Sequence, residues 1–171
     1  AACIGSFLII IALLLLIEIL DRTLRDANRT KRVTGFKVIG AVPSPSSSRY
    51  GGLAKTYVQL SIKELSNSIL RFLTKRKSPG VFIINLFSTS ENSGEDIVGN
   101  LICGYMQSRM LNTRFITYGE DFNTDSTQYL LAKNITDFYT LQGEDILIVA
   151  YPPLSSSNIP TALLHDANVN I

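Results

Sequence analysis

The chemistry that this sequence could carry is concentrated in a polar loop at residues 88–95, which reads STSENSGE and follows an apolar run. The residues at the end of this loop and the expected start of a helix are Ser93, Gly94, Glu95 and Asp96. A glycine-bearing loop between a strand and a helix can wrap its backbone N–H groups around a phosphate, usually with a lysine beside it. No Lys or Arg occurs between residues 78 and 107, and the loop carries carboxylates that repel phosphate. The pattern predicts a phosphate-binding type of loop that lacks its cationic partner.

Hydrophobic periodicity predicts the strands and helices that would hold this loop. Short apolar runs are typical of strands covered on both faces, and a 3.6-residue apolar period is typical of amphipathic helices. The predicted strands are 36–42, 81–87, 114–118 and 146–150, and the predicted helices are 53–73, 96–110 and 127–139. The alternation of strand and helix predicts right-handed crossovers and an α/β fold with a parallel sheet.

Residues 1–20 (AACIGSFLIIIALLLLIEIL) form the most hydrophobic stretch and carry no charge before Glu18. Twenty helical residues extend about 30 Å, which is the thickness of the hydrocarbon core of a bilayer. Residues 21–37 contain six basic and two acidic side chains, and such an excess is typical of the cytoplasmic flank of a span. The pattern predicts one N-terminal transmembrane helix at 1–20, followed by a cytoplasmic domain.

The net charge of +2 conceals an asymmetry along the chain. Residues 1–77 contain 13 basic and 4 acidic side chains, and residues 78–171 contain 3 basic and 10 acidic ones. The basic half suits an anionic membrane surface, and because no nucleic-acid motif accompanies it, nucleic acid is not expected as a partner. Cys3 and Cys103 make neither a disulfide framework nor a zinc site, so no metal is expected. The expected organisation is a transmembrane helix at 1–20, a basic juxtamembrane segment and Ser/Pro/Gly-rich linker at 21–52, and an α/β domain at 53–171.

Five segments, taken in order, resemble a known bacterial family. They are EILDRTLRD, GFKVIGAVP, VFIINLFSTSENSGEDIVGNL, RFITYGEDF and DILIVAYPPL. Together they make the chain similar to the bacterial tyrosine kinases and chain-length determinants of capsular and exopolysaccharide export, the polysaccharide co-polymerases. The resemblance implies a P-loop NTPase-like parallel sheet flanked by helices, in a homo-oligomer at the bacterial inner membrane that contacts the polysaccharide polymerase and export machinery. Because the chain ends where another strand is expected, we expect the sheet to be incomplete at its C-terminus.

The chain departs from this family at three motifs. In the kinases the first loop reads G-E-G-K-S-T before N-L, and the ungapped match places residues 94–96 where the Lys, Ser and Thr stand. The second motif carries two Asp after a strand, and here Gly119 stands at the first position and Asp121 at the second. The third motif is I-D-x-P-P, and Ala150 takes the place of its Asp. The resemblance therefore implies a degenerate nucleotide site without a catalytic residue, with ATP and Mg²⁺ as cofactors only if the domain were an active kinase.

We expect this protein to regulate the chain length or export of a capsular polysaccharide, exopolysaccharide or lipopolysaccharide as a pseudokinase, through assembly and not through ATP chemistry. Two alternatives stay open. One is an active tyrosine autokinase of the same family, in which Lys75 or Lys77 would fold over the loop. The other is a membrane-anchored interaction module unrelated to polysaccharide. In the kinase relatives an E-x-x-R-x-x-R helix helps to form a ring; Glu64 matches the Glu, but Asn67 and Leu70 stand at the Arg positions.

Overall fold

The computed structural model of this chain describes residues 7, 10–14, 27–35, 37–43, 53–75, 80–90 and 93–171. The chain divides into two compact units, Ala1–Val38 and Ile39–Ile171. In the first unit, residues 7 and 10–14 are helical, and helix α1 spans Ala27–Thr34. Gly35 ends α1 with a φ of 76°, a left-handed conformation that glycine adopts at little cost.

The structure contradicts the predicted transmembrane helix at 1–20 and, with it, the predicted inner-membrane localisation. Across the described residues, no helix combines the length and the apolar character that crossing a membrane requires. Of the predicted span, residues 7 and 10–14 are described, and they are helical. The rest of the predicted span lies outside the described residues.

The second unit is an α/β body built on a four-stranded parallel sheet. Its elements are α2 (Ala54–Leu73), β1 (Phe82–Leu86), α3 (Glu95–Gln107), β2 (Thr113–Thr117), α4 (Thr127–Leu130), a 3-10 helix (Ile135–Asp137), β3 (Ile146–Ala150), α5 (Thr161–Asp166) and β4 (Val169–Asn170). The strand order is β2-β3-β1-β4, so β1 and β3 are the central pair. The prediction of a parallel sheet flanked by helices is confirmed.

The two central strands are buried on both faces, as the apolar runs predict. All five residues of β1 and all five of β3 are buried. Successive side chains of a strand point to opposite faces, so each strand contributes to two cores. The first core contains Ile84 and Ile148 and packs against α2 and α3; the second contains Ile83 and Leu147 and packs against α4, the 3-10 helix and α5.

Asn85 is the one polar residue in the otherwise apolar, buried strand β1. Its side-chain Nδ2 donates to the carbonyl of Leu163 in α5 at 3.1 Å and to Oδ1 of Asn170 in β4 at 3.0 Å. A buried amide is costly unless it is hydrogen-bonded, and these two bonds use it to join β1 to the C-terminal elements. Strand β4 is short and pairs with β1.

Two predicted elements differ in the structure. Residues 37–42 do not form a strand; Ile39 and Val42 pack instead against the first core, on the α2 side. The predicted helix at 127–139 is broken into α4 and the 3-10 helix. The break occurs because the carboxylate of Asp137 accepts hydrogen bonds from the N–H groups of Lys133 and Asn134, which gives the backbone an alternative to helix.

Candidate functional site

The sheet has a topological switch point between β1 and β3. From β1 the chain passes through α3 to β2, whereas from β3 it passes through α5 to β4 on the other side of β1. Helices α3 and α5 pack in different cores and therefore on opposite faces of the sheet. In open α/β sheets, ligands bind in the crevice outside the carboxyl ends of the strands at such a point. The loop singled out in the sequence follows β1 and therefore lies at this edge.

The loop is held by its own serines and by a left-handed glycine. The hydroxyl of Ser93 donates to the carbonyl of Ser90 at 2.6 Å. Gly94 precedes α3 with a φ of 88°, and its carbonyl accepts the first helical hydrogen bond, from the N–H of Val98. Glu91, another acidic residue of this loop, lies outside the described residues. The described part thus has a left-handed glycine before α3, and the Ser93 hydroxyl is bonded within the loop itself.

The positive end of α3 already carries two carboxylates. Glu95 and Asp96 occupy the first turn, where the helix dipole favours negative charge. Burial raises the pKa of Asp96 above its ordinary value, and the negative charges of Glu95 and Glu120 raise it further. Oxygen Oε2 of Glu95 is buried and has no hydrogen-bond partner among the described residues. A ligand phosphate at this helix end would meet like charge.

The residues of the second motif shape a turn after β2. The carboxylate of Asp121 accepts from the N–H of Thr117 at 2.9 Å, and the N–H of Asp121 donates back to the carbonyl of Thr117 at 3.0 Å. Gly119 has a φ of 83° and donates its N–H to the carbonyl of Phe122. Oδ2 of Asp121 thus helps to hold this turn.

The third motif lies at the carboxyl end of β3, beside the end of β1. Ala150 is fully buried at the end of β3 and offers a methyl group where a metal-binding carboxylate would stand. Beyond it, the N–H of Tyr151 donates to the carbonyl of Leu86, and the rings of Phe87 and Tyr151 stack with centroids 5.2 Å apart. The two strands are therefore bridged at their carboxyl ends by backbone pairing and by an aromatic pair.

A cavity of about 470 Å³ lies at this edge of the sheet. Its lining residues are Gly94, Glu95, Asp96, Ile97, Tyr118, Pro152, Pro153 and Ser156. The structure thus brings three of the four predicted loop residues together with the segment after β3, whereas Ser93, Gly119, Asp121 and Ala150 are not part of the lining. Within the described ranges, no group of three or more His, Cys, Asp or Glu side chains is placed to hold a metal ion.

Sequence reasoning did not select Tyr118, Pro152, Pro153 or Ser156 as site residues. The signal that could have found them is positional, since Tyr118 follows β2 and the other three follow β3, at the same edge of the sheet as the loop. Their side chains give the cavity wall a phenol, two pyrrolidine rings and a hydroxyl, none of which supplies positive charge.

Comparison with known proteins does not place this chain in a family. No family model matches the sequence, and no curated protein matches it significantly. The resemblance to polysaccharide co-polymerases therefore stays a prediction.

Proposed function

We propose that this chain is a non-catalytic regulatory domain that acts in the chain-length control or export of a surface polysaccharide through assembly. The main observation against ATP chemistry is the position of Glu95 and Asp96 at the N-terminus of α3. Both residues line the 470 Å³ cavity at the carboxyl edge of the sheet. The five ordered segments that resemble the co-polymerase family support the polysaccharide role.

The electrostatics of the cavity disfavour nucleotide. At an effective dielectric constant of about 20, two like unit charges about 4 Å apart repel by about 4 kcal/mol. That energy is about as large as the whole binding free energy of a millimolar ligand. Burial is the main cause of the raised pKa of Asp96, and the negative charges of Glu95 and Glu120 raise this pKa further. A triphosphate would add to this charge, and Ala150 offers no side-chain carboxylate for its Mg²⁺.

Titration calorimetry of the full chain with ATP and Mg²⁺ tests the proposal. We expect no measurable heat of binding at about 1 mM nucleotide. The binding free energy of a ligand with a millimolar dissociation constant is about as large as the repulsion above, which would cancel it. A cooperative thermal unfolding transition of the same sample shows that the protein is folded. A dissociation constant in the low micromolar range would refute the absence of nucleotide binding, and labelled phosphate incorporated into tyrosine by the isolated protein would establish the active autokinase.

A genetic experiment tests the role in polysaccharide. Deletion of the gene in the organism that encodes it should change the length distribution or the amount of surface polysaccharide on a gel. Re-expression of the wild-type chain and of the double variant Glu95→Gln, Asp96→Asn should both restore it, because the proposal assigns no nucleotide chemistry to these carboxylates. An unchanged polysaccharide profile after deletion would point to the interaction module unrelated to polysaccharide.

A further inference from the structure

A second cavity, of about 490 Å³, lies along β2, which is the terminal strand of the four-stranded sheet on one side. Residues of α3 and of the segment 142–144 before β3 complete its wall. The volume lies within the range of small-molecule sites, about 300–1,000 Å³. None of the candidate loop residues lines this cavity, so it is distinct from the cavity at the carboxyl edge of the sheet.

Four exposed carboxamide side chains surround the opening of this cavity: Asn100, Gln107, Asn112 and Gln142. The side-chain N–H groups of Asn100, Gln107 and Asn112 donate to main-chain carbonyls at 3.0, 2.9 and 2.8 Å. Oε1 of Gln142 instead accepts from Nη1 of Arg114 at 2.6 Å. Among the described residues, the other end of each carboxamide has no hydrogen-bond partner. The opening therefore offers three fixed acceptors, together with donors from Gln142 and from the remaining N–H groups of Arg114.

The charges in the cavity wall cancel. Arg114 is its one cation and Glu144 its one carboxylate. Glu144 is 6% exposed, and its two oxygens already accept hydrogen bonds, from the N–H of Gln142 at 2.6 Å and from the hydroxyl of Tyr139 at 3.4 Å. A wall without net charge gives no electrostatic preference to an ion of either sign, so it favours an uncharged ligand.

Gly104 lies in the cavity wall without a structural reason within the fold. It is exposed in α3, where glycine is disfavoured relative to alanine, and a Cβ added there would meet nothing within 4 Å. Gly99 of the same helix, in contrast, is required by the close approach of Phe115. A glycine in such a place lets a ligand approach the helix backbone closely.

Backbone pairing with an added β-strand is disfavoured at this edge of β2. The carbonyl of Thr113 accepts from Nε2 of Gln107 at 2.9 Å, and both backbone groups of Thr117 are bonded to Asp121. An edge whose backbone groups are already bonded near both of its ends is a poor template for another strand. The occupant is therefore expected to bind through the side chains of the wall.

We propose that this cavity binds a small uncharged polyhydroxy compound, such as a monosaccharide, a disaccharide or a cyclitol. A hydroxyl group both donates and accepts hydrogen bonds, so neighbouring hydroxyls satisfy the fixed amide oxygens as well as the donors of Arg114 and Gln142. A ligand with donors alone, or with acceptors alone, would satisfy only part of the opening. The inference rests on this cavity and not on the proposed role in polysaccharide, so either can fail while the other stands.

Saturation-transfer NMR of the full chain gives the first test, with D-glucose, maltose and myo-inositol as neutral probes and D-glucuronate and D-glucosamine as charged ones. We expect the tightest neutral probe to bind with a dissociation constant of about 1–10 mM, since its hydrogen bonds replace bonds to water. Both charged probes should bind more weakly than this probe, by about fivefold or more. Tighter binding of either charged probe, or no binding of any neutral probe at about 50 mM, would overturn the proposal.

Substitutions in the cavity wall give the second test. Gly104→Leu should abolish binding of the tightest neutral probe by filling the cavity, whereas Gly104→Ala should change its affinity by no more than about twofold. Both should keep or raise the thermal unfolding midpoint, because either residue favours helix over glycine. Gln142→Ala should weaken binding by about threefold or more, and Gln128→Ala, which removes an exposed carboxamide of α4, should leave it unchanged. Wild-type affinity in Gly104→Leu, or equal losses in Gln142→Ala and Gln128→Ala, would contradict binding in this cavity.

Discussion

One face of the sheet is covered by two long helices, α2 and α3, and the other by the short helices α4 and α5 and a 3-10 helix. The long helices bury mainly aliphatic side chains such as Ile62 and Ile102, whereas the second face also buries aromatic side chains, contributed by α4 and by the connecting segments. Phe122, Tyr129, Phe138 and Tyr151 form a continuous aromatic cluster on this second face. The comparison indicates that helical regularity organises the first face, while ring packing and local side-chain hydrogen bonds organise the second.

The largest expected effect tests the aromatic face. Tyr129 is fully buried, and its ring lies 5.7 Å from that of Phe122 and 5.3 Å from that of Phe138. Tyr129→Ala should lower the free energy of unfolding by about 3–5 kcal/mol, the range for removal of a large buried side chain. Urea denaturation measures it. A loss below about 1 kcal/mol would show that the aromatic cluster does not organise this face.

Tyr129→Phe is the matched control, because the Tyr129 hydroxyl is buried without a hydrogen-bond partner in the described part of the chain. Its removal should leave stability unchanged or raise it by about 1 kcal/mol. Burial raises the pKa of Tyr129 from 10.0 to about 12. The unfolded chain therefore loses this proton first, so the wild type should lose stability relative to Tyr129→Phe as pH rises from 10 to 12.

The next effect tests the close contact of α3 with the sheet on the helical face. A Cβ added at Gly99 would lie 2.3 Å from Cε2 of Phe115 in β2, whereas one added at Gly104 in the same helix would meet nothing within 4 Å. Gly99→Ala should therefore destabilise the protein by about 1–3 kcal/mol through overpacking. Gly104→Ala should stabilise it by up to about 1 kcal/mol through helix propensity. Equal effects of the two substitutions in thermal unfolding would exclude a packing role for Gly99.

A smaller effect tests the hydrogen bonds that replace helix on the aromatic face. The carboxylate of Asp137 accepts from the N–H of Lys133 at 2.7 Å and from that of Asn134 at 3.1 Å. Asp137→Ala leaves both donors unpaired and should cost about 0.5–2 kcal/mol, as the loss of a capping side chain does. Asp125→Ala serves as the comparison, since the Asp125 carboxylate is exposed and accepts no hydrogen bond within the described residues. If both substitutions change the urea midpoint equally, Asp137 has no special role in separating α4 from the 3-10 helix.

The same contrast explains what the sequence could predict. The apolar runs at 81–87 and 146–150 and the helical period of α2 and α3 predict the helical face and the central strands, because long regular elements leave a periodic trace. On the aromatic face, the break in the predicted helix at 127–139 leaves no periodic trace. The break depends on short-range hydrogen bonds to Asp137, whereas the segment itself carries a helix-like apolar pattern. The residues of the candidate loop could be found from their position after β1. The stacking of Phe87 on Tyr151 could not be predicted, since it depends on which strands are neighbours.

The smallest expected effect concerns Asp96, where the helical face meets the candidate site. Its pKa is raised by burial first and by Glu95 and Glu120 second, so the folded state disfavours its charge relative to the unfolded chain. Asp96→Asn should therefore stabilise the protein at neutral pH, and the gain should shrink as pH falls through the folded-state pKa and vanish below about 3.8, the ordinary value. The measurement is the unfolding midpoint of both proteins from pH 3 to 8, with Asp125→Asn as an exposed carboxylate elsewhere on the surface. The opposite sign would mean that the attraction of the helix dipole for Asp96 outweighs burial and repulsion, which would make Asp96 a stabilising first-turn residue. A gain in stability would instead mean that the chain keeps a carboxylate that its fold disfavours, at the helix end where a phosphate-binding loop would need positive charge.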